Sequence, residues 1–461
     1  MFDLKTFGRG TPLHFVGIAG IGMSSIAEIL KKWGYSVQGS NDRENENVAS
    51  LRAAGIKVLI GHRAENVEGA GAVVFSSAVP ADNVELAAAG ALRLPIIERA
   101  ELLNMVMNLR RGIAVAGTHG KTTTTSFVGT MLDVAGLDPT IINGGIMNRY
   151  GSHNRIGAGE FVVAEACEAF GNIRHFTPHI AVITNIDAEH MDYYHNFDNL
   201  VAHFKEFAAR VPRDGLAVLC ADHPVVASMA AGLKERTNVL TYACDGEADV
   251  MARGIKTGER GATFDALIRG RAVSGIRIPL YGRHNVQNAL AAVAIAEFLG
   301  IKDEKIRAGA AEFLGNKHRF SFVGKARGVR IFDDYGHHPK EIAATLAMAR
   351  EVAGSGRVFA LWEPHRYTRT TGLFREFASA FGDAHRTIVL PIYSAGEGAA
   401  GMKTQHDLAE AVPGSIEAAG FDEAAAIIAR EAREGDMAVS FSAGALKNLM
   451  PQLPAKLEGI K

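Results

Sequence analysis

The densest group of reactive side chains lies in the run Ile113-Ala-Val-Ala-Gly-Thr-His-Gly-Lys-Thr-Thr-Thr-Thr125. Backbone N–H groups of a glycine-rich loop cradle phosphate oxygens, a lysine neutralises the outer phosphates, and a hydroxyl opening the next helix ligates a divalent cation. Gly117, Gly120, Lys121 and Thr122 supply those parts in that order, with Thr118, His119 and Thr123 filling the loop. The segment therefore reads as a nucleoside triphosphate site, and Lys121 is expected to be a solvated lysine serving phosphate charge. Val115 stands where the GxxxxGK[ST] pattern has its first glycine, so the loop is expected to be shorter than usual. Downstream, Glu165 ends the run FVVAE and His190 follows IAVITN. Placed at strand C-termini in an open α/β sheet, both reach a metal beside Thr122. The carboxylate suits Mg²⁺ and the imidazole suits Mn²⁺ better, while a structural histidine is the other reading of His190. Glu168, Asp187 and Asp192 are either supporting groups or solvated surface.

Three further segments offer binding chemistry. Gly17-Ile-Ala-Gly20-Ile-Gly22 joins a strand to a helix and brings amide N–H groups and a positive helix end to one spot, which suits a pyrophosphate. Its GxxGxG spacing differs from GxGxxG, and a tight turn without a ligand is the alternative. Ser40 and Asp42, after the second strand, fall where a ribose or base contact belongs. Asn285 and Asn288 in Gly282-Arg-His-Asn-Val-Gln-Asn288 suit either an adenine edge or helix capping. In the last third, Asp334 of DDYGHHP suits a ribose hydroxyl, and Arg366 and Arg369 beside His365 suit a carboxylate held bidentately.

These residues need a scaffold that delivers them at strand ends. Short apolar runs such as LHFVGI, VVFSSA, GIAVAG, FVVAE, HIAVITN, LAVLCAD, VRIFDDY, VFALWEP and MAVSFS alternate with amphipathic stretches, the pattern of an α/β protein with largely parallel sheets. Ile26, Ile29, Leu30 and Trp33 share one helical face, as do Val128, Met131, Leu132 and Ala135. Between about 248 and 279 the texture changes to Gly-punctuated runs that predict antiparallel strands annexed to a central domain. With 461 residues the chain is too long for one core, and three domains are expected, 1–109, 110–318 and 319–461.

Charge and composition narrow the partners. Lys+Arg 49 against Asp+Glu 50 gives a formal net charge of -1, so no global field favours nucleic acid or an anionic membrane. Charges interrupt every apolar run before about 18 residues, and no signal peptide is read at the N-terminus. The three cysteines, Cys167, Cys220 and Cys244, lack metal or disulfide spacing, and a reducing cytoplasm is expected.

Taken together, GTHGKTTTT, Glu165 with NIDAEHMD, GRHNVQNA, NKHRF, DDYGHHPKE and EPHRYTR resemble the Mur ligase family of peptidoglycan synthesis in order and spacing along nearly the whole chain. The resemblance implies a Rossmann-like N-terminal domain for a UDP-sugar, a central P-loop-type ATPase domain with a mostly parallel sheet, and a Rossmann-like C-terminal domain for an amino acid. It implies ATP and Mg²⁺, with Mn²⁺ admissible, and UDP-N-acetylmuramate and L-alanine as substrates joined through an acyl phosphate. By similarity, Gly20, Ile21, Gly22, Met23, His62, Ser76 and Ser77 contact the UDP-sugar. Thr122, Glu165 and His190 form the metal set. His284, Asn285, Asn288, Arg319 and Asp334 contact the nucleotide, and Tyr335, His337, Arg366 and Arg369 serve the amino-acid end. Lys121, Glu165, His190 and His337 are the expected catalytic residues. The chain departs from the family at Glu165-Ala-Cys-Glu-Ala-Phe170 for EADESD, at Glu363 for glutamine, and at Thr371-Gly372 for Arg-Asp. Competing readings are a ligase that attaches a recycled tripeptide to the same UDP-sugar, a non-catalytic nucleotide-binding paralogue, and an NAD-dependent dehydrogenase. The single-amino-acid look of HRYTR, the intact Lys121, Thr122, Glu165 and His190, and the loop spacing weigh against them in turn.

Overall fold

A computed structural model describes residues 2–258 and 260–460. Its chain order alternates strand and helix as the apolar runs predict, and each of those runs forms a strand. Leu13–Val16, Ile180–Ile183 and Met437–Phe441 are buried along their whole length, as parallel strands covered on both faces must be.

Three sheets result. The first holds β1 (Leu13–Val16), β2 (Val37–Asn41), β3 (Lys57–Ile60), β4 (Ala72–Phe75) and β5 (Ile96–Glu98) in the order β3-β2-β1-β4-β5, all parallel. Helices α1 (Ile21–Lys32), α2 (Glu46–Ala53), α3 (Val84–Ala91) and α4 (Arg99–Asn108) connect them. The strand order reverses at β1, where a crevice opens between neighbouring βα turns.

The second sheet has ten strands: β6 (Arg111–Ala116), β7 (Thr140–Met147), β8 (Ser152–Arg155), β9 (Phe161–Glu165), β10 (Ile180–Ile183), β11 (Leu216–Cys220), β12 (Asn238–Ala243), β13 (Val250–Gly258), β14 (Gly261–Ile268) and β15 (Arg271–Ile278). Their order is β15-β14-β13-β12-β11-β10-β6-β9-β7-β8. β6 lies in the interior, parallel to β9 and β10, and is followed by α5 (Lys121–Val134). The region expected as an antiparallel annex does contain an antiparallel pair, β14 with β15, but it continues the main sheet because β13 pairs in parallel with β12.

The third sheet holds β16 (Ser321–Ala326), β17 (Val329–Asp334), β18 (Val358–Trp362), β19 (Arg386–Val389), β20 (Ser415–Glu417) and β21 (Met437–Phe441) in the order β16-β17-β21-β18-β19-β20. Only the β16–β17 pair is antiparallel. The chain separates into two compact units, one of Met1–Lys256 and Gly261–Gly315 and the other built on Asn316–Lys461. Within the first unit the first two sheets share one hydrophobic core. Arg110 fastens them further, its guanidinium 4.4 Å from the Trp33 ring centroid and donating to Gly157 O at 2.9 Å. Among the described residues, no helix is long and apolar enough to cross a membrane.

Candidate active site

The phosphate loop spans the turn between β6 and α5, and its shape needs its glycines. Gly117 has φ +132° and a Cβ there would lie 2.0 Å from Thr184 Oγ1; Gly120 has φ +82° and faces Asn288 Oδ1 at 2.9 Å. The segment after β10 holds the loop in place. His119 N donates to Asn185 Oδ1 at 2.7 Å, Thr184 Oγ1 donates to His119 O at 2.7 Å, and Asp187 N donates to Thr118 Oγ1 at 2.8 Å. The His119 ring lies 3.4 Å from Asp187 Oδ2.

Lys121 departs from the solvated lysine expected of the loop. Its side chain is only 15% exposed, and Nζ donates to Thr118 O at 3.0 Å and stands 3.0 Å from each oxygen of the Glu168 carboxylate. Glu168 is 2% exposed, and a carboxylate so buried requires a counter-ion, which explains why the lysine turns inward. Thr122, at the first turn of α5, donates its hydroxyl to Glu165 Oε2 at 3.2 Å, while Gly144 N donates to Glu165 Oε1. Thr123 follows in the same turn.

The expected metal set is thus divided. Thr122 stays with Glu165, whereas His190 stands with Glu168 and Glu189, and ligand atoms of these last three lie within 4.8 Å of one another. Glu189 was missed in the sequence because NIDAEHMD offers four candidates within six positions, Asp187, Glu189, His190 and Asp192, with nothing to say which turn inward. His190, the N-cap of the short helix α6 (Met191–Tyr194), is left-handed at φ 56°, and its Nε2 lies 4.0 Å from Glu168 Oε1. Carboxylates, a hydroxyl and one imidazole are a donor set suited to a hard divalent cation, Mn²⁺ included. The Asp192 side chain lies outside the described residues.

Of the residues expected at the nucleotide, His284, Asn285 and Asn288 sit on the helix Arg283–Phe298, and Arg319 and Asp334 belong to the second unit. Asn285 does not cap it: Gly282 is the N-cap, and Asn285 Nδ2 instead donates to Tyr281 O at 2.7 Å. Asn288 is 7% exposed and accepts the Thr124 hydroxyl at 3.1 Å, so its amide buttresses the phosphate loop. His284 is exposed on the first turn.

In the N-terminal sheet, Gly20 caps α1 and Ile21, Gly22 and Met23 form its first turn, with Ile21 50% exposed and Met23 buried. Arg99, which sequence reasoning passed over, packs on Gly22: its Nη1 would be 3.0 Å from a Cβ there. A cation therefore stands beside the glycine turn. Ser76 and Ser77 follow β4 in a turn closed by Val79 N to Ser76 O at 2.9 Å. Ser40, expected to contact ribose or base, cannot do so: it is fully buried and donates its hydroxyl to Glu85 Oε2 at 2.6 Å. His62 remains partly exposed in front of it, Nδ1 3.1 Å from Ser40 Oγ.

In the second unit the expected amino-acid residues Tyr335, His337, Arg366 and Arg369 follow the C-terminal ends of β17 and β18, beside Asp334 and Arg319, which were expected at the nucleotide. Asp334 is buried and accepts from Phe320 N at 2.8 Å and Gly336 N at 2.7 Å; burial pushes its carboxyl up to about 6. The Arg319 guanidinium covers the Tyr335 ring at 5.6 Å. His337 Nδ1 donates to Tyr335 O at 3.1 Å, and burial, opposed by Glu341 and aided by Arg369, pulls its pKa down. Arg369 Nη1 donates to His365 Nδ1 at 3.1 Å, and Arg366 lies 3.8 Å from Glu397.

The departures from family pattern have local roles. Glu363 accepts from Ser442 Oγ at 2.5 Å and Leu446 N at 3.2 Å, a task a glutamine oxygen also performs. Thr371 Oγ1 accepts from Lys403 N at 2.9 Å and so supports the neighbouring loop, while nothing lies within 4 Å of a Cβ built on Gly372. Burial, followed by the adjacent Glu168 charge, pushes the Cys167 thiol up, which makes it an unreactive neighbour of the loop. Phe170 is 55% exposed; nothing in the structure explains an aromatic there.

Comparison with known proteins matches the architecture piece by piece. The Mur ligase family catalytic domain model matches residues 12–111, the Mur ligase middle domain 115–296, and the Mur ligase glutamate ligase domain 318–444. UDP-N-acetylmuramate--L-alanine ligase of Rhodospirillum centenum is 47% identical over 97% of this chain and 95% of its own length. The enzyme of that name from Sinorhizobium fredii is 46% identical over 99% and 98%. Among solved structures, UDP-N-acetylmuramate-alanine ligase from Thermotoga maritima superposes with a TM-score of 0.79 at 26% identity, covering 97% of this chain and 99% of that one. A murein peptide ligase from Psychrobacter arcticus shares the fold, with a TM-score of 0.68 at 23% identity over 98% and 100%. With three domain models in register along the sequence and relatives matched over nearly their full length, the chain belongs to the Mur ligase family.

Proposed function

We propose that this chain is an ATP-dependent amide ligase that joins L-alanine to the lactyl carboxylate of UDP-N-acetylmuramate, with ADP and phosphate as the other products. The observation that carries the reading is a phosphate loop with its lysine, hydroxyl and carboxylates assembled, in a chain matched end to end by ligases named for that reaction. The three free cysteines suit a cytoplasmic setting.

A carboxylate is a poor electrophile because its leaving group would be oxide. Transfer of the ATP γ-phosphoryl to one of its oxygens releases ADP and turns that oxygen into part of a phosphate. The alanine amine then attacks the acyl carbon, and the tetrahedral intermediate expels phosphate as the amide forms. Amides of Gly120 and of the first turn of α5 (Lys121 to Thr123), with the Lys121 ammonium, hold the phosphates in line and meet the charge that develops on the moving phosphoryl, while the Thr118 and His119 amides are spent on Asn185 and fix the loop. Glu168, Glu189 and His190, whose ligand atoms lie within 4.8 Å of one another, would hold a divalent cation, Mg²⁺ or Mn²⁺, with Thr122 and Glu165 supplying oxygens from a separate pair. When bound, that cation offsets charge on the phosphates. Gly20 to Met23 and Arg99 are assigned to the pyrophosphate of the UDP-sugar, His62, Ser76 and Ser77 to the rest of it, and His284, Asn285, Asn288, Arg319 and Asp334 to the nucleotide end of ATP. Arg366 and Arg369 are assigned to the alanine carboxylate, with Tyr335 beside them. Because His337 gives its Nδ1 proton to Tyr335 O and burial keeps the ring neutral, Nε2 is free to take a proton from the incoming amine.

Phosphate release from ATP with UDP-N-acetylmuramate, offering L-alanine, glycine, L-serine or a tripeptide in turn, tests the reading. L-Alanine is expected to give the highest kcat/KM; preference for the tripeptide would replace the assignment, and no release with any acceptor would remove it. The metal assignment has its own check. Glu189→Gln and His190→Ala are each expected to weaken Mn²⁺ binding, read by the paramagnetic signal of free Mn²⁺ in the presence of ADP, by roughly 10-fold or more. Affinity unchanged in both variants would take the two residues out of the cation site.

A further inference from the structure

Glu85 opens α3, one residue after the first helical position, and in sequence it reads as an ordinary first-turn acid complementing a helix N-terminus. In the structure it is fully buried. A carboxylate without water persists only where hydrogen bonds replace its hydration, and here five donors converge on it. Ser40 Oγ donates to Oε2 at 2.6 Å, with His62 Nδ1 and His14 Nε2 at 3.3 and 3.4 Å from the same oxygen. Asn66 Nδ2 and Arg63 N serve Oε1. Burial alone would raise its pKa; the bonds from His14, Ser40 and Asn66 outweigh that and hold it down to about 2, so the group is an anion at neutral pH.

The two histidines stand differently toward it. His14 is closed inside: Gln38 Nε2 donates to its Nδ1 at 3.4 Å, which leaves its Nε2 proton for Glu85. His62 meets Glu85 through Nδ1, which also lies 3.1 Å from Ser40 Oγ. Since the Ser40 proton goes to Glu85, Ser40 presents a lone pair to His62, and both neighbours of that Nδ1 are acceptors. The proton of a neutral His62 ring therefore sits on Nδ1, and Nε2 carries a lone pair. The His62 side chain is 28% exposed, whereas those of Glu85 and His14 have no exposure. His62 follows β3, at the same edge of the sheet as the glycine turn after β1 and the serines after β4.

We propose that Glu85 is a positioning residue for the sugar nucleotide: with Ser40 it locks His62 as the Nδ1–H tautomer, so that Nε2 accepts a hydrogen bond from an N–H or O–H of the nucleoside. The inference rests on the N-terminal sheet being the UDP-sugar site. It assigns a task to a residue that touches no substrate and gives Ser40 a place behind the contact rather than in it.

Glu85→Gln tests it, because the amide brings an NH₂ that only donates and removes the fixed pair of acceptors. Two-bond ¹H–¹⁵N correlation spectra of the full chain read the tautomer directly: Nδ1–H in the wild type, and loss of that preference in Glu85→Gln. In turnover, KM for UDP-N-acetylmuramate is expected to rise about tenfold, the worth of one hydrogen bond, while KM for ATP and alanine moves less than about twofold. In a His62→Ala background the same substitution is expected to add nothing further. An unchanged tautomer, an equal KM rise in the His62→Ala background, or a loss of thermal stability with all three KM values intact each overturns the proposal. Should Glu85→Gln fail to fold, Ser40→Ala keeps the carboxylate, removes the bridging lone pair and is expected to act in the same direction. A wild type that shows no saturation by UDP-N-acetylmuramate overturns the functional reading and the ligand half of this one, while the spectrum still decides whether Glu85 sets the ring.

Discussion

Replacing Lys121 with methionine is expected to lower kcat by on the order of 10³-fold, the loss seen when one preorganised donor to a developing charge is removed. The structure adds a second effect. Lys121 spans the carboxylate of Glu168, which is 2% exposed, so the single substitution strands a buried charge as well as emptying the phosphate loop of its cation. Breaking a pair of this kind costs about 3 kcal/mol or more, and a loss of activity in the single variant would mix misfolding with chemistry. The double variant Lys121→Met with Glu168→Gln separates them. Thermal unfolding should return most of the way to the wild-type midpoint, because neither partner is then charged, whereas turnover should stay at the level of the single variant. Turnover near wild type in a folded Lys121→Met protein would refute the ATP-loop assignment. Recovery of turnover with stability in the double variant would mean that the lysine matters only as the partner of Glu168.

What the sequence displays and what it hides divide along a physical line. β1, β4, β6, β9, β10, β11, β17, β18 and β21 are legible because a strand covered on both faces must be built around an apolar stretch, even where single polar residues such as His14 and Ser440, or the Asp333–Asp334 end of β17, interrupt it. β7 and β8 are not: TIINGGIM is interrupted by polar and glycine positions, and SHNR at the sheet edge has no apolar residue, so backbone pairing with a neighbour is what makes them strands. The site divides in the same way. Gly117, Gly120, Lys121 and Thr122 announce themselves because their spacing is dictated by a phosphate. Glu85 and Arg99 carry no local signature, since what gives them meaning arrives from far along the chain: His14, Ser40 and His62 for the one, Gly22 for the other. For the same reason Lys121 was legible as a phosphate ligand and illegible as the partner of Glu168.

Replacing Arg369 with lysine is expected to raise the KM for L-alanine by roughly 10–100-fold, the worth of a charge-assisted contact, with smaller changes in the KM for ATP and the UDP-sugar. The geometry explains why charge alone will not serve. One guanidinium nitrogen, Nη1, is already committed to His365 Nδ1 at 3.1 Å. That bond requires a neutral imidazole, and burial, followed by the charge of Arg369 itself, pushes His365 down to about 4, so the ring remains an acceptor throughout the neutral range. The ring is held in turn by stacking on Tyr393, with centroids 5.5 Å apart and planes within 13°. An arginine anchored at one nitrogen still has the other edge of a rigid fork for a carboxylate, whereas a lysine ammonium must choose between the imidazole and the substrate. His365→Ala therefore provides the companion measurement: the guanidinium keeps its charge and loses its anchor, and the KM for alanine should rise by a smaller factor with kcat nearly unchanged. A fall in kcat for Arg369→Lys with all three KM values unchanged would place this guanidinium against the transferring phosphoryl, and the alanine carboxylate would then fall to Arg366, whose ion-pair partner among the described residues is Glu397 at 3.8 Å.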